Sequence, residues 1–386
     1  MSDTELAGNW NFPTSVTVGA GSIVELAQCC IDFGMRSPLI VTDHGLAALP
    51  MIDAALSQCR DAGLFIDVFS KVKSNPSGEN VADGVVAYRT GGHDGLVAFG
   101  GGSAIDACKA IALMVGQSGV LWDYEDSWQE LDPDSVATII AVPTTAGTGS
   151  EVGRAALVSD EQRRVKKIVF HPKLLPSKVI LDPELTRGLP ASMTAATGMD
   201  ALSHNLEAFC SPVYHPMAEG IAIEGIRLVK EYLPRAVADG DDMTARMQMI
   251  VASSMGATAF QKGLGAMHAL AHPLGALYDA HHGLLNAILM PYVLVANREE
   301  IEGRIQRLAR YLDLPQASFG GFLAWVLSFR EEVGIPHNLL AIGIDLDQQT
   351  LVGEMAAEDP TAQTNPLPFT AEQYSDLFSQ AVSGEL

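Results

Sequence analysis

Asp200 and His204 stand four apart in MDALSHNLEA (199–208), with apolar Met199, Ala201, Leu202 and Leu206 around them. Four residues is about one helical turn, so a carboxylate and an imidazole at that spacing project from one face toward a common point. Two side chains are too few to hold a metal ion. The stretch GAMHALAHPLGALYDAHHGLLNAILMPY (265–292) supplies His268 and His272, again four apart, and then the doublet His281–His282. Asp200, His204 and two of these histidines make an N and O donor set suited to a divalent ion. A single buried histidine is commonly a satisfied core residue. Two pairs at helical spacing plus a doublet, among ten histidines in all, point instead to a metal centre.

The first half of the chain carries phosphate chemistry. LVAFGGGSAIDACKA (96–110) puts Gly100, Gly101, Gly102 and Ser103 after an apolar run and at the mouth of a helix, where backbone N–H groups can approach a pyrophosphate closely. The triple glycine is not the GxGxxG fingerprint, and a tight strand-to-helix turn is the plain alternative. GAGSIV (19–24) begins like that fingerprint but has Val24 at the third glycine position and reads chiefly as a turn. VPTTAGTGSEV (142–152) offers the hydroxyls of Thr144, Thr145, Thr148 and Ser150 to a ribose or phosphate, or is a capped loop. In VTDHG (41–45), Asp43 stands at the end of an apolar run, where a carboxylate accepts from a ribose or repels a 2′-phosphate; a turn or N-cap aspartate is the other reading.

The elements that must position these residues differ between the two halves. SPLIVT (37–42), LFIDVF (64–69), DGLVAFG (94–100) and ATIIAVP (137–143) read as buried strands, and helical spacing runs through 78–91 and 103–115. Such alternation implies a parallel sheet covered by helices. From about 188 the stretches TAATGMDALSHNLEAF, AEGIAIEGIRLVKEYL, ARMQMIVASSMGATAF and GRIQRLARYL are long and helical, and strand signals nearly vanish. The join falls near DPELTRGLP (182–190), which has two prolines and a glycine. The expected architecture is an α/β N-terminal dinucleotide-binding domain with a parallel sheet over 1–187 and an all-α metal-binding and catalytic domain over 188–386. The tail from about 359 reads as a loop leading into a last short helix.

Charge narrows the partners. With 46 Asp and Glu against 24 Lys and Arg, the formal net charge is -22, so nucleic acid and anionic membranes are expected to be repelled. No apolar run reaches the roughly 18 residues of a membrane span. MSDTELAGNWNF lacks the basic-then-apolar order of a secretory signal, and the five cysteines are odd in number with no CxxC pair, which suits a reducing cytoplasm. The expected assembly is a homodimer or larger homo-oligomer.

GGGSAIDACKA, VPTTAGTGSE, GMDALSHNLEAF, HALAHPLG and HHGLLNAILMPY, in this order, resemble the iron-containing (group III) alcohol dehydrogenase family from about residue 10 to the end. The resemblance implies a dinucleotide-binding α/β domain and a helical domain, with the active site in the cleft between them. It carries metal ligands onto Asp200, His204, His268 and His282, and matches His272 to a histidine near the metal and the nicotinamide. Gly101, Gly102, Ser103 and Asp106 match the pyrophosphate loop and its helix start. Thr144, Thr145, Thr148 and Ser150 match the second nucleotide loop, and Asp43 a position whose carboxylate favours NAD over NADP. A divalent ion held by three imidazoles and one carboxylate keeps an open position where an alcohol loses its proton more easily, ahead of hydride transfer to the nicotinamide. His272 then passes the alcohol proton toward solvent or packs on the nicotinamide. Iron(II) is the family's metal, and zinc(II) suits the same donors. The implied reaction interconverts a small primary alcohol and its aldehyde.

Two departures from the family pattern concern the substrate. AFQKGLGAMH (259–268) places Lys262 where small or amide residues are usual. A cation beside an apolar pocket would grip the far end of an ω-hydroxy acid or semialdehyde; a lysine that snorkels to solvent or pairs with a local acid is the alternative. His281 beside His282 leaves the ligand register open by one residue. Glycerol dehydrogenases and a dehydroquinate-synthase-like lyase are the other readings of this fold, and the phosphate-gripping basic cluster of a synthase is absent from this acid-rich chain.

Overall fold

The computed structural model describes Phe12, 14–124, Trp128, 131–163 and 165–386. The chain divides into two compact units, Pro13–Thr145 with Gly149–Gly188, and Leu189–Leu386 with Ala146–Thr148 and Phe12.

The first unit contains β1 (Ser15–Val18), α1 (Leu26–Asp32), β2 (Pro38–Asp43), α2 (His44–Ala47), α3 (Pro50–Asp61), β3 (Asp67–Val72), α4 (Gly78–Gly91), β4 (Gly95–Gly100), α5 (Gly102–Met114), β5 (Ile139–Pro143), β6 (Ala155–Asp160), β7 (Val165–Phe170) and β8 (Lys178–Leu181). Six strands form one sheet in the order β1-β8-β5-β4-β2-β3, and every pairing is parallel. Every residue of β4 and β5 is buried, because a parallel strand covered on both faces is apolar throughout rather than alternating. β3 is one of the two edge strands and mixes buried Phe69 with exposed Lys71. It begins three residues later than LFIDVF implies, since Leu64 and Ile66 enter the core before pairing starts. β1, β8 and the antiparallel hairpin β6–β7 had no counterpart in the sequence reading.

β2, β4 and β5 are neighbours, with Val41 opposite Ala98 and Gly100 opposite Pro143. Asp43, Gly100–Gly101 and Thr144–Thr145 therefore leave the same edge of the sheet. The chain order reverses between β2 and β4, and in open α/β sheets nucleotides bind beyond the carboxyl ends of the strands at such a point.

The second unit contains α6 (Ala191–Cys210), α7 (Pro216–Ala238), α8 (Met243–Ala259), α9 (Ala266–Tyr278), α10 (His282–Ala296), α11 (Arg298–Tyr311), α12 (Phe319–Glu332), α13 (Gln349–Glu358) and α14 (Ala371–Ser383). Helix α6 packs against α7, α8 and α10, and every residue from Thr194 to Cys210 is buried. A helix enclosed on all sides must satisfy its polar groups internally. Asp200, Ser203, His204, Asn205 and Glu207 are such groups, so α6 demands specific partners. No helix among the described residues is long and apolar enough to cross a membrane.

Candidate metal centre and nucleotide loops

Helix α6 supplies Asp200 and His204, α9 supplies His268, and the first residue of α10 is His282. One donor atom from each lies within 4.8 Å of every other, so all four converge on one small volume, as donors that bond a central divalent ion at about 2.0–2.2 Å must. The rings of His204 and His268 stack at 4.7 Å between centroids. Gly283 permits the approach of α10: a Cβ there would lie 2.5 Å from the Ala196 carbonyl oxygen and 2.9 Å from Asp200 Cβ.

Each of two imidazoles is oriented by an acceptor on its far side. His268 Nδ1 donates to Glu207 Oε2 at 2.6 Å, and Glu207 Oε1 accepts from the Met267 backbone N–H at 2.7 Å. Burial pushes the Glu207 carboxyl up to about 7, against the pull of the Met267 and Gly265 N–H groups. His204 Nδ1 donates to the Gly147 carbonyl at 3.3 Å. With Nδ1–H so engaged, Nε2 keeps its lone pair for a metal, as in carboxylate–histidine–metal arrangements. Burial, and then neighbouring His204, hold His268 well below the ordinary histidine range. Three imidazoles and one carboxylate, three of the four buried and His282 partly exposed, fit a divalent ion.

Of the doublet, His282 is the one that joins the donor cluster. His281 caps α10, its Nδ1 accepting from the Leu284 N–H at 3.3 Å, and stands outside the four. His272 also stands outside, its ring stacked on that of His282 at 5.4 Å, while its Nδ1 donates to Asp359 Oδ2 at 2.8 Å. Asp359 Oδ1 accepts from Thr361 N–H and Oγ1 at 2.8 and 2.6 Å. Burial would raise the Asp359 carboxyl, but the bonds from His272 and Thr361 outweigh it and hold it below the usual range.

Lys262 does not offer its charge to a substrate. Its side chain is enclosed, and Nζ donates to the carbonyls of Ala208, Phe209 and Ser211 at 3.1, 3.3 and 2.6 Å and pairs with Glu219 Oε1 at 3.1 Å. An ammonium has three hydrogens, and all are engaged at the carboxyl end of α6. The local-acid alternative describes it, with the added task of capping a helix.

In the first unit, Gly101 stands at the N-cap of α5 in extended conformation with no side-chain cap, so the first N–H groups of that helix lack the partner that a capping side chain gives. Gly100 and Gly101 are there for close approach. A Cβ on Gly100 would lie 2.7 Å from Ala104 Cβ, and one on Gly101 would lie 3.3 Å from Thr145 Cγ2. The loops after β4 and β5 thus touch, and the Thr144 N–H donates to the Gly100 carbonyl at 3.0 Å. Asp43 caps α2 through Oδ1, which accepts from the Leu46 N–H at 2.9 Å. Ser103 lies in the first turn of α5, while Thr148 belongs to the segment Ala146–Thr148 grouped with the helical unit.

Asp106 and Ser150 bond to each other. Ser150 Oγ donates to Asp106 Oδ1 at 2.5 Å, and Asp106 Oδ2 accepts from the Leu157 N–H at 3.1 Å. Beneath them lies Lys109, wholly buried, whose Nζ donates to the carbonyls of Ser150, Gly153 and Ala155 at 2.6, 2.8 and 2.9 Å. Burial lowers this lysine to about 8, against the pull of Asp106 and Glu151. The GAGSIV turn is held likewise by a carboxylate, with Asp182 accepting from the N–H groups of Gly21 and Ile23 at 3.1 and 3.0 Å.

Glu207, Asn286, Asp359 and Lys109 escaped the sequence reading. Glu207 follows His204 by three residues and Asn286 follows His282 by four, so the spacing that picked out the four donors also marks these two. Lys109 is a cation inside an apolar helix, a visible signal. Asp359 has no local signal.

Comparison with known proteins agrees with the geometry. Residues 13–183 match the iron-containing alcohol dehydrogenase family and residues 194–382 its C-terminal domain. The chain is 39% identical to a 4-hydroxybutyrate dehydrogenase of Cupriavidus necator, over 96% of this chain and 98% of the other. It is 33% identical to an NAD-dependent methanol dehydrogenase of Bacillus methanolicus, over 97% and 100%. The crystal structure of a 1,3-propanediol oxidoreductase superposes with a TM-score of 0.93 at 34% identity, covering 97% of this chain and 100% of that one. Motifs, fold and donor cluster converge with these matches, and the chain belongs to the iron-containing alcohol dehydrogenase family, an oxidoreductase acting on the CH–OH group of alcohols.

Proposed function

We propose that this alcohol dehydrogenase uses NAD and one iron(II) ion, held by Asp200, His204, His268 and His282, to interconvert a small primary alcohol and its aldehyde. The observation that carries the reading is the convergence of these four donors within 4.8 Å, with two imidazoles fixed from behind by Glu207 and Gly147. When bound, the ion supplies Lewis acidity that favours ionisation of the alcohol hydroxyl. In balance, the alcohol gives a hydride to the oxidised nicotinamide and a proton to the medium. His272 is suited to receive that proton at Nε2, because its Nδ1–H is committed to Asp359.

The uncapped start of α5 and the glycines before it would take the pyrophosphate, with Thr144 and Thr145 beside them. Asp43, at the edge of β2, would meet the adenosine ribose and oppose a 2′-phosphate, which favours NAD. The five cysteines are free and buried, in keeping with the cytoplasm, and a homodimer or larger homo-oligomer is the proposed assembly.

A second reading, an ω-hydroxy acid as substrate, is supported by the 39% identity with a 4-hydroxybutyrate dehydrogenase. Lys262 is not the group that would recognise its carboxylate. Initial rates for 1-butanol, 1,4-butanediol and 4-hydroxybutyrate, with NAD and NADP on iron-loaded and zinc-loaded protein, separate these readings. A kcat/KM for 4-hydroxybutyrate at least tenfold above that for 1-butanol establishes the acid. Absence of nicotinamide reduction with any alcohol refutes the proposed chemistry.

A further inference from the structure

Asn286 stands where the four presumed ligands converge. Its Nδ2 lies 2.9 Å from Asp200 Oδ1, 3.2 Å from His268 Nε2 and 3.2 Å from His282 Nε2. An amide nitrogen has two hydrogens, and here it faces three electron-pair donors. It occupies the part of a cation, its positive hydrogens drawing together groups whose lone pairs repel one another. At its other end, Asn286 Oδ1 is buried and accepts no hydrogen bond among the described residues, in a residue with no exposed surface. A buried acceptor without a donor is costly. The amide is satisfied at one end at the expense of the other.

The same group turned over about its last side-chain bond presents an oxygen to the cluster. Among three bare lone pairs that orientation is repulsive. Beside a divalent cation it is favourable, since an amide oxygen is a hard ligand and the N–H dipole would then point the wrong way. His282 and Asn286 are one turn apart on α10, so the amide is anchored to the same helical face as a ligand and stays near the ion in either orientation.

Resting on the metal reading above, we propose that Asn286 is a fifth member of the metal site, whose carboxamide turns over on ion binding. Nδ2 holds three ligand atoms together in the ion-free chain, and Oδ1 faces the ion in the loaded one.

The test compares wild type, Asn286→Ala, Asn286→Asp and His268→Ala as full-length, chelator-stripped proteins titrated with cobalt(II). Affinity is read by competition with a chelator, coordination by the visible cobalt bands, and stability of the ion-free form by thermal melting. Asn286→Ala is expected to weaken binding about tenfold or more and to change the cobalt spectrum. Asn286→Asp keeps the shape but offers only acceptors, and is expected to bind at least as tightly as wild type while its ion-free form melts earlier. That opposite pair of effects is the signature of the turned amide, and the aspartate variant carries it alone if the alanine variant does not fold. Equal weakening by both substitutions would make Nδ2 a mere structural donor and overturn the proposal. So would wild-type affinity and spectrum in both. Cobalt binding undiminished in His268→Ala would instead refute the metal site itself, with or without Asn286.

Discussion

Glu219→Gln is expected to weaken the helical unit in a way that fades as the pH falls. Glu219 lies in the first turn of α7, and its Oε1 accepts from Lys262 Nζ at 3.1 Å and Arg304 Nη1 at 2.8 Å, its Oε2 from Arg307 Nη2 at 3.1 Å. Burial alone would raise this carboxyl, but Arg304 and Lys262 outweigh it and hold it at about 2 against an ordinary 4.5. The difference of about 2.5 units corresponds to roughly 3 kcal/mol at about 1.36 kcal/mol per unit. A depressed carboxyl stabilises the fold fully above its unfolded value and loses that contribution as pH falls from 4.5 through about 2. At pH 3.5 the unfolded carboxyl is largely protonated and the folded one still ionised, so roughly 1.4 kcal/mol has gone. Urea unfolding of both proteins at pH 7, 5 and 3.5 reads this directly. The expected gap is up to about 3 kcal/mol at pH 7 and about half that at pH 3.5. A gap that does not change with pH, or one below about 0.5 kcal/mol throughout, the usual worth of a surface pair, would show that the three cations do not act on Glu219 as a unit.

Lys262→Met should lower stability by several kcal/mol, about 3–5 for one partner removed from a buried pair, and change kcat/KM for 4-hydroxybutyrate and 1-butanol by the same factor; a selective loss on the acid would restore the lysine as a substrate-binding group. His268→Ala should remove bound metal and alcohol oxidation together, and metal analysis showing one ion per chain in an active variant would refute the ligand set. Asp43→Gly should shift preference toward NADP by tenfold or more in kcat/KM, about 1.4 kcal/mol or more, with only a few tenths of a kcal/mol lost from the cap of α2; an unchanged ratio of NAD to NADP would leave Asp43 as a cap alone. Lys109→Met should leave the Ser150, Gly153 and Ala155 carbonyls without their donor, cut stability by about 3–5 kcal/mol, and weaken NAD binding measured by fluorescence titration; unaltered NAD affinity would separate this lysine from the nucleotide loops.

What the sequence made legible follows from how local each signal is. Strands β4 and β5 are buried throughout, so GLVAFG and IIAVP stand out as apolar runs. β1 and β8 have four residues each, too short for a period to declare itself, and they are defined by pairing with each other across more than 150 residues of chain. The donor cluster was legible because α6 and α9 each bring two polar side chains to one face within a turn. Lys262 was misleading for a related reason. Its oddity in the motif was visible, but the Ala208, Phe209 and Ser211 carbonyls that occupy it are backbone groups, which every residue has and no sequence pattern marks.

The layer behind the metal site divides along the same line. His268 is oriented by Glu207, one turn after His204 on α6, and the amide of Asn286 stands one turn after His282 on α10, so helical spacing writes both into the sequence beside the ligands. The other supports are remote. His204 donates to the Gly147 carbonyl, 57 residues away, and His272 to Asp359, 87 residues away. The local supports fix where the donor atoms converge, because they share a rigid helix with a ligand. The remote ones come from segments outside α6, α9 and α10, namely the loop after β5 and the residue that follows α13. The orientation of the His204 and His272 rings therefore depends on how those segments pack against the helices, whereas the backbone positions from which the four donor side chains project depend on α6, α9 and α10.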